Sequence, residues 1–161
     1  MKLPSNQANV VLITGAASGI GRRTAERFIE LGHHVHVCDV SQASVAEFLA
    51  ANPGASASVT DVADPKAVDR LFLELMEQYS RLDVLVNNAG VAGPTARIEN
   101  CDDDEWLRCV QVNLSGTFFV TKRAIPLLRN STSGCIINVA STAALFGYPL
   151  RSPYAASKWA Q

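Results

Sequence analysis

Three polar side chains near the carboxyl end of the chain have the types and spacing that proton transfer at an alcohol or carbonyl oxygen requires. Tyr154 and Lys158 stand four positions apart, so a helix beginning near Pro153 would place both on one face. Ser141 precedes them in the sequence. A phenol is a poor base at neutral pH, because its ordinary pKa is about 10, but an ammonium one helical turn away stabilises the phenolate.

These residues predict acid–base chemistry coupled to oxidation or reduction of a carbon atom. Tyr154 would exchange a proton with the substrate oxygen while hydride moves at the neighbouring carbon, and Ser141 would hold that oxygen by a hydrogen bond. A tyrosine four residues before a lysine is common and means little alone. The position of this pair favours a catalytic role, because both residues follow the end of a predicted central strand, where open α/β sheets bind ligands.

Near the amino terminus, an apolar segment runs directly into a glycine-rich turn. Residues 10–13 are all aliphatic, which predicts a strand buried on both faces, and Gly15, Gly19 and Gly21 follow before an apolar helical pattern. A turn without Cβ atoms lets backbone N–H groups and a helix amino end approach a pyrophosphate. The spacing differs from the commonest dinucleotide sequence, G-x-G-x-x-G, so alone it leaves both a nucleotide site and a plain tight turn open.

An acidic residue, Asp39, ends the second predicted strand, which covers residues 34–38. A carboxylate there can accept hydrogen bonds from both hydroxyls of an adenosine ribose and would repel a 2′-phosphate. The same residue could cap the helix beginning near Ser41, and the two uses are compatible. Neither the segment from Gly15 to Gly21 nor the position after Asp39 holds Lys or Arg, which favours NAD over NADP.

The predicted strands and helices that must position these groups alternate along the whole chain. Three further apolar strands are predicted over residues 55–60, 82–86 and 135–139. The helices between and after them have recognisable starts at Asp64-Pro65, at Asp102, and at Ser152 as N-cap with Pro153 in the first turn. Alternation of this kind predicts an α/β fold with a parallel sheet and right-handed crossovers.

Asn113 falls on the apolar stripe of the fourth predicted helix, between Val110 and Thr117. A buried amide without hydrogen-bond partners would cost about 1–3 kcal/mol, so this side chain must be paired. From spacing alone, the favoured interpretation is a core asparagine that bonds to nearby backbone groups.

Composition indicates a single globular domain over residues 1–161 and excludes several classes of partner. The chain is 48% hydrophobic with a formal net charge of -1, which gives no electrostatic basis for binding nucleic acid or an anionic membrane. No apolar run is long enough to span a bilayer, and residues 1–4 do not open a signal peptide, so a cytoplasmic protein is expected.

Cysteine and histidine residues show no pattern typical of a metal site or a disulfide framework. The four cysteines lack C-x-x-C spacing, and of three clustered histidines only His34 and His36 would share a strand face. We therefore expect no metal site, and we expect the histidines at a solvated strand entrance. The residues concerned are Cys38, Cys101, Cys109, Cys135, His33, His34 and His36.

Taken together, these segments resemble the short-chain dehydrogenase/reductase family. The matching residues, in order and spacing, are Thr14-Gly15-x-x-x-Gly19-Ile20-Gly21, Asn87-Asn88-Ala89-Gly90, Asn113, Ser141 and Tyr154-x-x-x-Lys158. Each piece is weak alone, but the set is highly specific and covers essentially the whole chain. The resemblance implies a Rossmann-type doubly wound parallel sheet with strand order 3-2-1-4-5.

The resemblance also implies a role for each matching residue. Tyr154 would be the general acid/base, Lys158 its partner and a ribose ligand, and Ser141 the group that orients the reacting oxygen. Asn113 would hold a water linking Lys158 to solvent, contrary to the interpretation from spacing. The residues implied to bind the cofactor are Gly15, Ser18, Gly19, Ile20, Gly21, Asp39, Asp61, Val62, Asn88, Tyr154 and Lys158.

The chain departs from the family in length, because members usually run to about 250 residues, within the range of single domains. We therefore expect this sequence to be part of a longer chain and the protein to form a homo-oligomer, a dimer or tetramer. Without further strands, the run from Cys135 to Ile137 would be an exposed apolar edge.

The predicted function is an NAD(P)-dependent oxidoreductase that interconverts a secondary alcohol and a carbonyl compound, with NAD as the favoured cofactor. The alternative is a non-catalytic dinucleotide-binding or interaction protein. Residues 91–98 and 142–151 would line the substrate entrance, with an apolar wall from Leu145, Phe146, Tyr148 and Leu150. The sequence leaves the substrate itself open.

Overall fold

Five strands and six α-helices alternate in the computed structural model, which describes residues 8–161; residues 1–4, considered above for a signal peptide, lie outside that range. The strands are β1 (Val10–Thr14), β2 (His34–Asp39), β3 (Ser56–Val59), β4 (Val84–Asn87) and β5 (Cys135–Asn138). The helices are α1 (Gly19–Glu30), α2 (Gln42–Ala51), α3 (Pro65–Gln78), α4 (Asp103–Val110), α5 (Gly116–Arg129) and α6 (Ser152–Ala160).

All neighbouring strands are parallel and form one sheet in the order β3-β2-β1-β4-β5. The order reverses direction on either side of β1, so the carboxyl ends of β1 and β4 open onto a crevice where ligands bind in this architecture. The predicted doubly wound Rossmann-type sheet is confirmed.

The central strand β1 separates two apolar layers. Val10 and Leu12 pack into a core with α3 and α5, whereas Val11 and Ile13 pack into a core with α1 and α2. Every residue of β1 is buried, as predicted for a strand covered on both faces. The loops that follow β1 and β4 therefore start from fixed positions.

The fourth predicted helix is continuous over 103–129 but contains one π-helical turn, Gln111–Ser115, between α4 and α5. Isolated π turns within α-helices are frequent at functional sites. The capping prediction for α6 was wrong by one residue, since Arg151 is the N-cap and Ser152 already lies in the first turn.

Two predictions about surfaces had different outcomes. All residues of β5 are exposed, including Ile136 and Ile137, so the predicted apolar edge is confirmed. The predicted solvated position of His36 was wrong, because this residue is 1% exposed and bonds to Ser56 and Ser58. Within residues 8–161, no helix is long and apolar enough to cross a membrane.

Candidate active site

The glycine turn between β1 and α1 packs so closely that two of its positions exclude a side chain. Gly15 has a φ of +60°, and a Cβ there would lie 2.8 Å from the Cα of Ala89. A Cβ at Gly21 would lie 2.5 Å from the amide nitrogen of Asn88. That amide donates to the carbonyls of Thr14 and Gly15 at 2.9 and 2.8 Å, so β1 and the segment after β4 are tied together beneath the turn.

The amino end of α1 faces outward from this turn. Ser18 is the N-cap residue, its side chain makes no capping hydrogen bond, and Gly19 and Ile20 are exposed. The first N–H groups of a helix have no partner within the helix, and the helix dipole places partial positive charge there. The turn therefore offers backbone donors to an anion such as a pyrophosphate.

Asp39 and Asp61 line a pocket of about 230 Å³ on one side of the turn. The two carboxylate oxygens of Asp39 accept hydrogen bonds from the N–H groups of Ala17 and Ser41, each at 3.1 Å. Asp39 thus joins β2 to the glycine turn, while Ser41 itself caps α2. The alternative that Asp39 is the helix cap is wrong, although its carboxylate does support the segment leading into α2.

The same pocket contains a residue that the sequence did not single out. Arg108, in α4, lines it and forms an ion pair with Asp61, with 3.0 Å between Nη1 and Oδ2. Val62, which the family resemblance implies as a cofactor-binding residue, lines the same pocket beside Asp61. Nothing in the spacing of α4 marked Arg108, because its contact with Asp61 depends on how α4 packs beside the β3–α3 loop.

A larger cavity of about 610 Å³ lies on the other side of the turn. Ser141, Tyr154 and Lys158 all line it, together with Gly15 and Asn88. Gly15 and Asn88 also line the smaller pocket, as do Ser18, Gly90 and Val91. One extended ligand could therefore lie across the turn with one end near Asp39 and the other near Tyr154.

The hydrogen bonds of Ser141 and Lys158 leave donors available toward this cavity. The Ser141 hydroxyl accepts from the N–H of Ala143 at 3.1 Å, so its own proton remains free to donate. Lys158 is 5% exposed, and its ammonium donates to the carbonyl of Val139 and to the side chain of Gln161, both at 2.7 Å. Burial lowers the pKa of Lys158.

Asn113 lies behind the cavity rather than in its lining. Its Oδ1 accepts from the N–H of Val91 at 2.8 Å, and its Nδ2 donates to the carbonyl of Val91 and the hydroxyl of Ser157, each at 3.0 Å. The side chain is fully buried and paired with backbone, as the spacing favoured. Its main-chain carbonyl accepts from Thr117 at 2.8 Å.

Side chains connect Asn113 to Lys158 in two directions. Ser157, 1% exposed, receives the bond from Asn113 and donates to the carbonyl of Tyr154 at 2.9 Å. Gln161 accepts from Lys158 and donates to the Thr117 hydroxyl at 3.2 Å. Asn113 of the π turn therefore bonds to Ser157 of α6, and Thr117 at the start of α5 bonds to Gln161 just after α6. No spacing in the sequence marked Ser157 for this contact.

Some of the residues predicted for the substrate entrance line the large cavity, and others do not. Phe146 and Tyr148 line the large cavity, and Val91 and Ala92 line it from the segment after β4. Leu145 and Leu150, predicted for the same apolar wall, lie outside the lining and are 68% and 48% exposed. Among residues 8–161 no cluster of His, Cys, Asp or Glu could hold a metal ion.

Comparison with known proteins gives similar sequences over almost the whole chain. A family profile described as short chain dehydrogenase matches residues 9–161. A 3beta-hydroxysteroid dehydrogenase of Mediterraneibacter gnavus is 37% identical over 155 residues, which are 94% of this chain and 56% of the relative. The chain therefore spans a little over half the length of that relative.

Solved structures agree with the sequence comparison. NAD+-bound xylitol dehydrogenase has a TM-score of 0.90 and 30% identity, covering 94% of this chain and 60% of that one. An actinorhodin polyketide ketoreductase variant with NADPH also has a TM-score of 0.90, at 34% identity and with coverage of 95% and 60%. With the profile match over nearly all described residues, these similarities show that the chain belongs to the short-chain dehydrogenase family.

Proposed function

We propose that this protein is an NAD-dependent oxidoreductase that interconverts a secondary alcohol and a carbonyl compound. The observation that carries the proposal is one cavity lined by Ser141, Tyr154 and Lys158 and continuous with the glycine turn. Relatives in the family include proteins named as dehydrogenases of hydroxysteroids and of meso-2,3-butanediol, both of which carry secondary alcohols.

The residues around the turn fit a dinucleotide. Gly15 and Gly21 leave no room for a Cβ, and the exposed amino end of α1 supplies donors for a pyrophosphate. Asp39 and Asp61 lie in the pocket on the adenosine side, and the larger cavity has room for the nicotinamide end. When bound there, NAD supplies the hydride acceptor for alcohol oxidation.

Residues of this chain carry out the proton transfer. In oxidation, Tyr154 accepts the hydroxyl proton of the substrate, and Ser141 donates a hydrogen bond to the same oxygen. The ammonium of Lys158 stabilises the phenolate, and it is held in place by Val139 and Gln161. Asn113 positions α6 through its hydrogen bond to Ser157. With a bound water, Asn113 would also connect Lys158 to solvent.

The proposed partners are a small alcohol or carbonyl compound and further copies of the same chain. Exposed apolar side chains on α4 and α5, Leu107 and Phe118, support self-association, because such surfaces are unfavourable in water. The negative charge of Asp39 in the adenosine-side pocket supports NAD rather than NADP.

The direct test is NAD reduction with a panel of secondary alcohols, followed by the substitution Tyr154→Phe. The variant should lose turnover by about 10²–10⁴-fold, since it cannot accept a proton, while its affinity for ADP, which lacks the ribose expected near Tyr154, stays the same. Tyr79→Phe is a matched control, because Tyr79 ends α3 away from the cavity. Undiminished turnover in Tyr154→Phe would refute the proton-transfer role, and ADP-ribose binding without reduction of any substrate would favour a non-catalytic binding protein.

A further inference from the structure

Arg151 lies where the loop before α6 is hydrogen-bonded to the loop after β4, and residues of both loops line the large cavity. The residue before it, Leu150, has a φ of +63°, a conformation that costs energy for a residue with a Cβ and recurs at functional sites. The carbonyl of Leu150 accepts from the N–H of Ala96 at 3.0 Å, and the guanidinium of Arg151 donates through Nη1 to the hydroxyl of Thr95. The guanidinium is thus held in a defined position beside the cavity.

Within residues 8–161, Arg151 has no carboxylate partner, although eight other ion pairs occur there. Its Nε is enclosed and has no hydrogen-bond acceptor among the described residues. An enclosed donor without an acceptor is unfavourable, and more so when the group is charged. Arg151 lines the large cavity, and its Nη2 makes no hydrogen bond among the described residues, so Nη2 is the donor available to an acceptor from outside the chain.

The charges around the cavity favour an anion. Arg151 and Lys158 are the two charged residues of its lining, which contains no Asp or Glu among the described residues. Lys158 uses two of its three donors on Val139 and Gln161, whereas the guanidinium of Arg151, with five, donates only through Nη1 to Thr95, so Arg151 has more unused donors. Its guanidinium carbon lies 5.9 Å from the ring centre of Tyr148, whose ring centre is 6.2 Å from that of Tyr154.

We propose that the substrate carries a carboxylate group and that Arg151 binds this group while Tyr154 acts at the hydroxyl or carbonyl. The inference rests on the proposed function and adds the substrate class, a hydroxy acid or the corresponding keto acid. A carboxylate is an anion that a guanidinium binds well, and Nη2 supplies the donor while Nη1 stays on Thr95.

Matched pairs of substrates test the proposal, because a carboxylate and its carboxamide differ in charge but little in size. The pairs are 3-hydroxybutyrate, 4-hydroxypentanoate and 5-hydroxyhexanoate, each against its amide. For at least one pair, kcat/KM should be about 10- to 100-fold higher for the acid, and Arg151→Gln should remove this preference. The circular dichroism spectrum and thermal unfolding of Arg151→Gln, compared with those of the wild-type protein, show whether the variant is folded.

Arg97→Gln is the control, because Arg97 is an exposed arginine nearby that does not line the cavity; it should keep the full preference for the acid. If the wild-type protein had equal kcat/KM values for the amides and the acids, the carboxylate assignment would be overturned while the proposed function stayed intact. An acid preference that survives in Arg151→Gln would overturn that assignment as well.

A binding measurement separates failure of this inference from failure of the proposed function. By calorimetry, the preferred hydroxy acid should bind to Tyr154→Phe about 10- to 100-fold more tightly than to the double variant with Arg151→Gln. This difference does not depend on turnover, so it would stand even if the protein proved inactive. Equal affinity of the two variants would contradict the role of Arg151.

Discussion

At the scale of single residues, Asp39 combines a structural role with the ligand-binding role that we propose for it. Each of its carboxylate oxygens already accepts a backbone N–H, from Ala17 or from Ser41, and each retains acceptor capacity because a carboxylate oxygen has two lone pairs. The charge remains at the pocket predicted for the adenosine ribose. A phosphate on the 2′-oxygen would bring like charges together there.

The substitution Asp39→Asn should therefore weaken the discrimination between the two dinucleotides. Removal of one negative charge at a partly exposed site changes the interaction with a nearby phosphate by about 1–2 kcal/mol. The ratio of the Kd for 2′-phospho-ADP-ribose to that for ADP-ribose should fall by about tenfold, as measured by calorimetry.

The control for this experiment is Asp69→Asn, since Asp69 lies in α3 and pairs with Arg123 outside both pockets. It should leave the ratio of the two affinities unchanged. An unchanged ratio in Asp39→Asn as well would show that this carboxylate does not exclude the phosphate, and the proposed preference for NAD would lose its basis.

At the scale of elements, a buried polar network connects β2, β3 and α3. The two ring nitrogens of His36 bond to the hydroxyls of Ser56 and Ser58 at 2.8 and 2.9 Å, and Ser58 donates to Glu74 of α3. Burial lowers the pKa of His36 to about 4, although the charge of Glu74 partly opposes that effect. The folded protein therefore holds this imidazole neutral at pH values where an unfolded chain would protonate it.

This network predicts a pH dependence of stability. Below pH 6.5 the unfolded state takes up a proton on His36 and the folded state does not, so the free energy of unfolding should fall as the pH decreases from about 6.5 to about 4. One pH unit corresponds to about 1.4 kcal/mol, which gives a maximum loss of about 3 kcal/mol. Urea denaturation at a series of pH values measures the effect.

His36→Gln should flatten this part of the profile, whereas His34→Gln should keep it because His34 is exposed at the start of β2. Equal slopes for the wild-type protein and His36→Gln would show that other groups cause the acid sensitivity. The prediction would also be wrong if the wild-type protein were equally stable at pH 6.5 and pH 4.

The sequence predicts the elements well because each depends on local signals. Apolar strands, Asp64 before Pro65 and the glycines after β1 all act within a few residues, and the parallel sheet follows from their alternation. Contacts between distant segments have no such local signal in the sequence. The partners of His36 come from β3, that of Arg108 from the β3–α3 loop and that of Ser157 from the π turn, and no spacing along the chain encodes these contacts.

At the scale of the whole molecule, the site is assembled from opposite ends of the described chain. The glycine turn follows β1, whereas Ser141, Tyr154 and Lys158 follow β5, and β4 joins the two halves through Asn88. Parallel pairing brings the carboxyl ends of all these strands to one edge of the sheet. A buried core on both sides of β1 keeps that edge fixed.

The central claim, that Tyr154 and its neighbours serve hydride transfer between an alcohol carbon and a dinucleotide, has a direct isotopic test. The fastest alcohol of the panel is prepared with deuterium at the carbinol carbon and incubated with NAD in ordinary water, and the reduced dinucleotide is analysed by mass spectrometry. We expect each molecule of reduced dinucleotide to carry the label, and we expect Tyr154→Phe to bind ADP-ribose but to form almost no labelled product. Reduced dinucleotide without the label, or an equal yield of labelled product from Tyr154→Phe, would contradict the account.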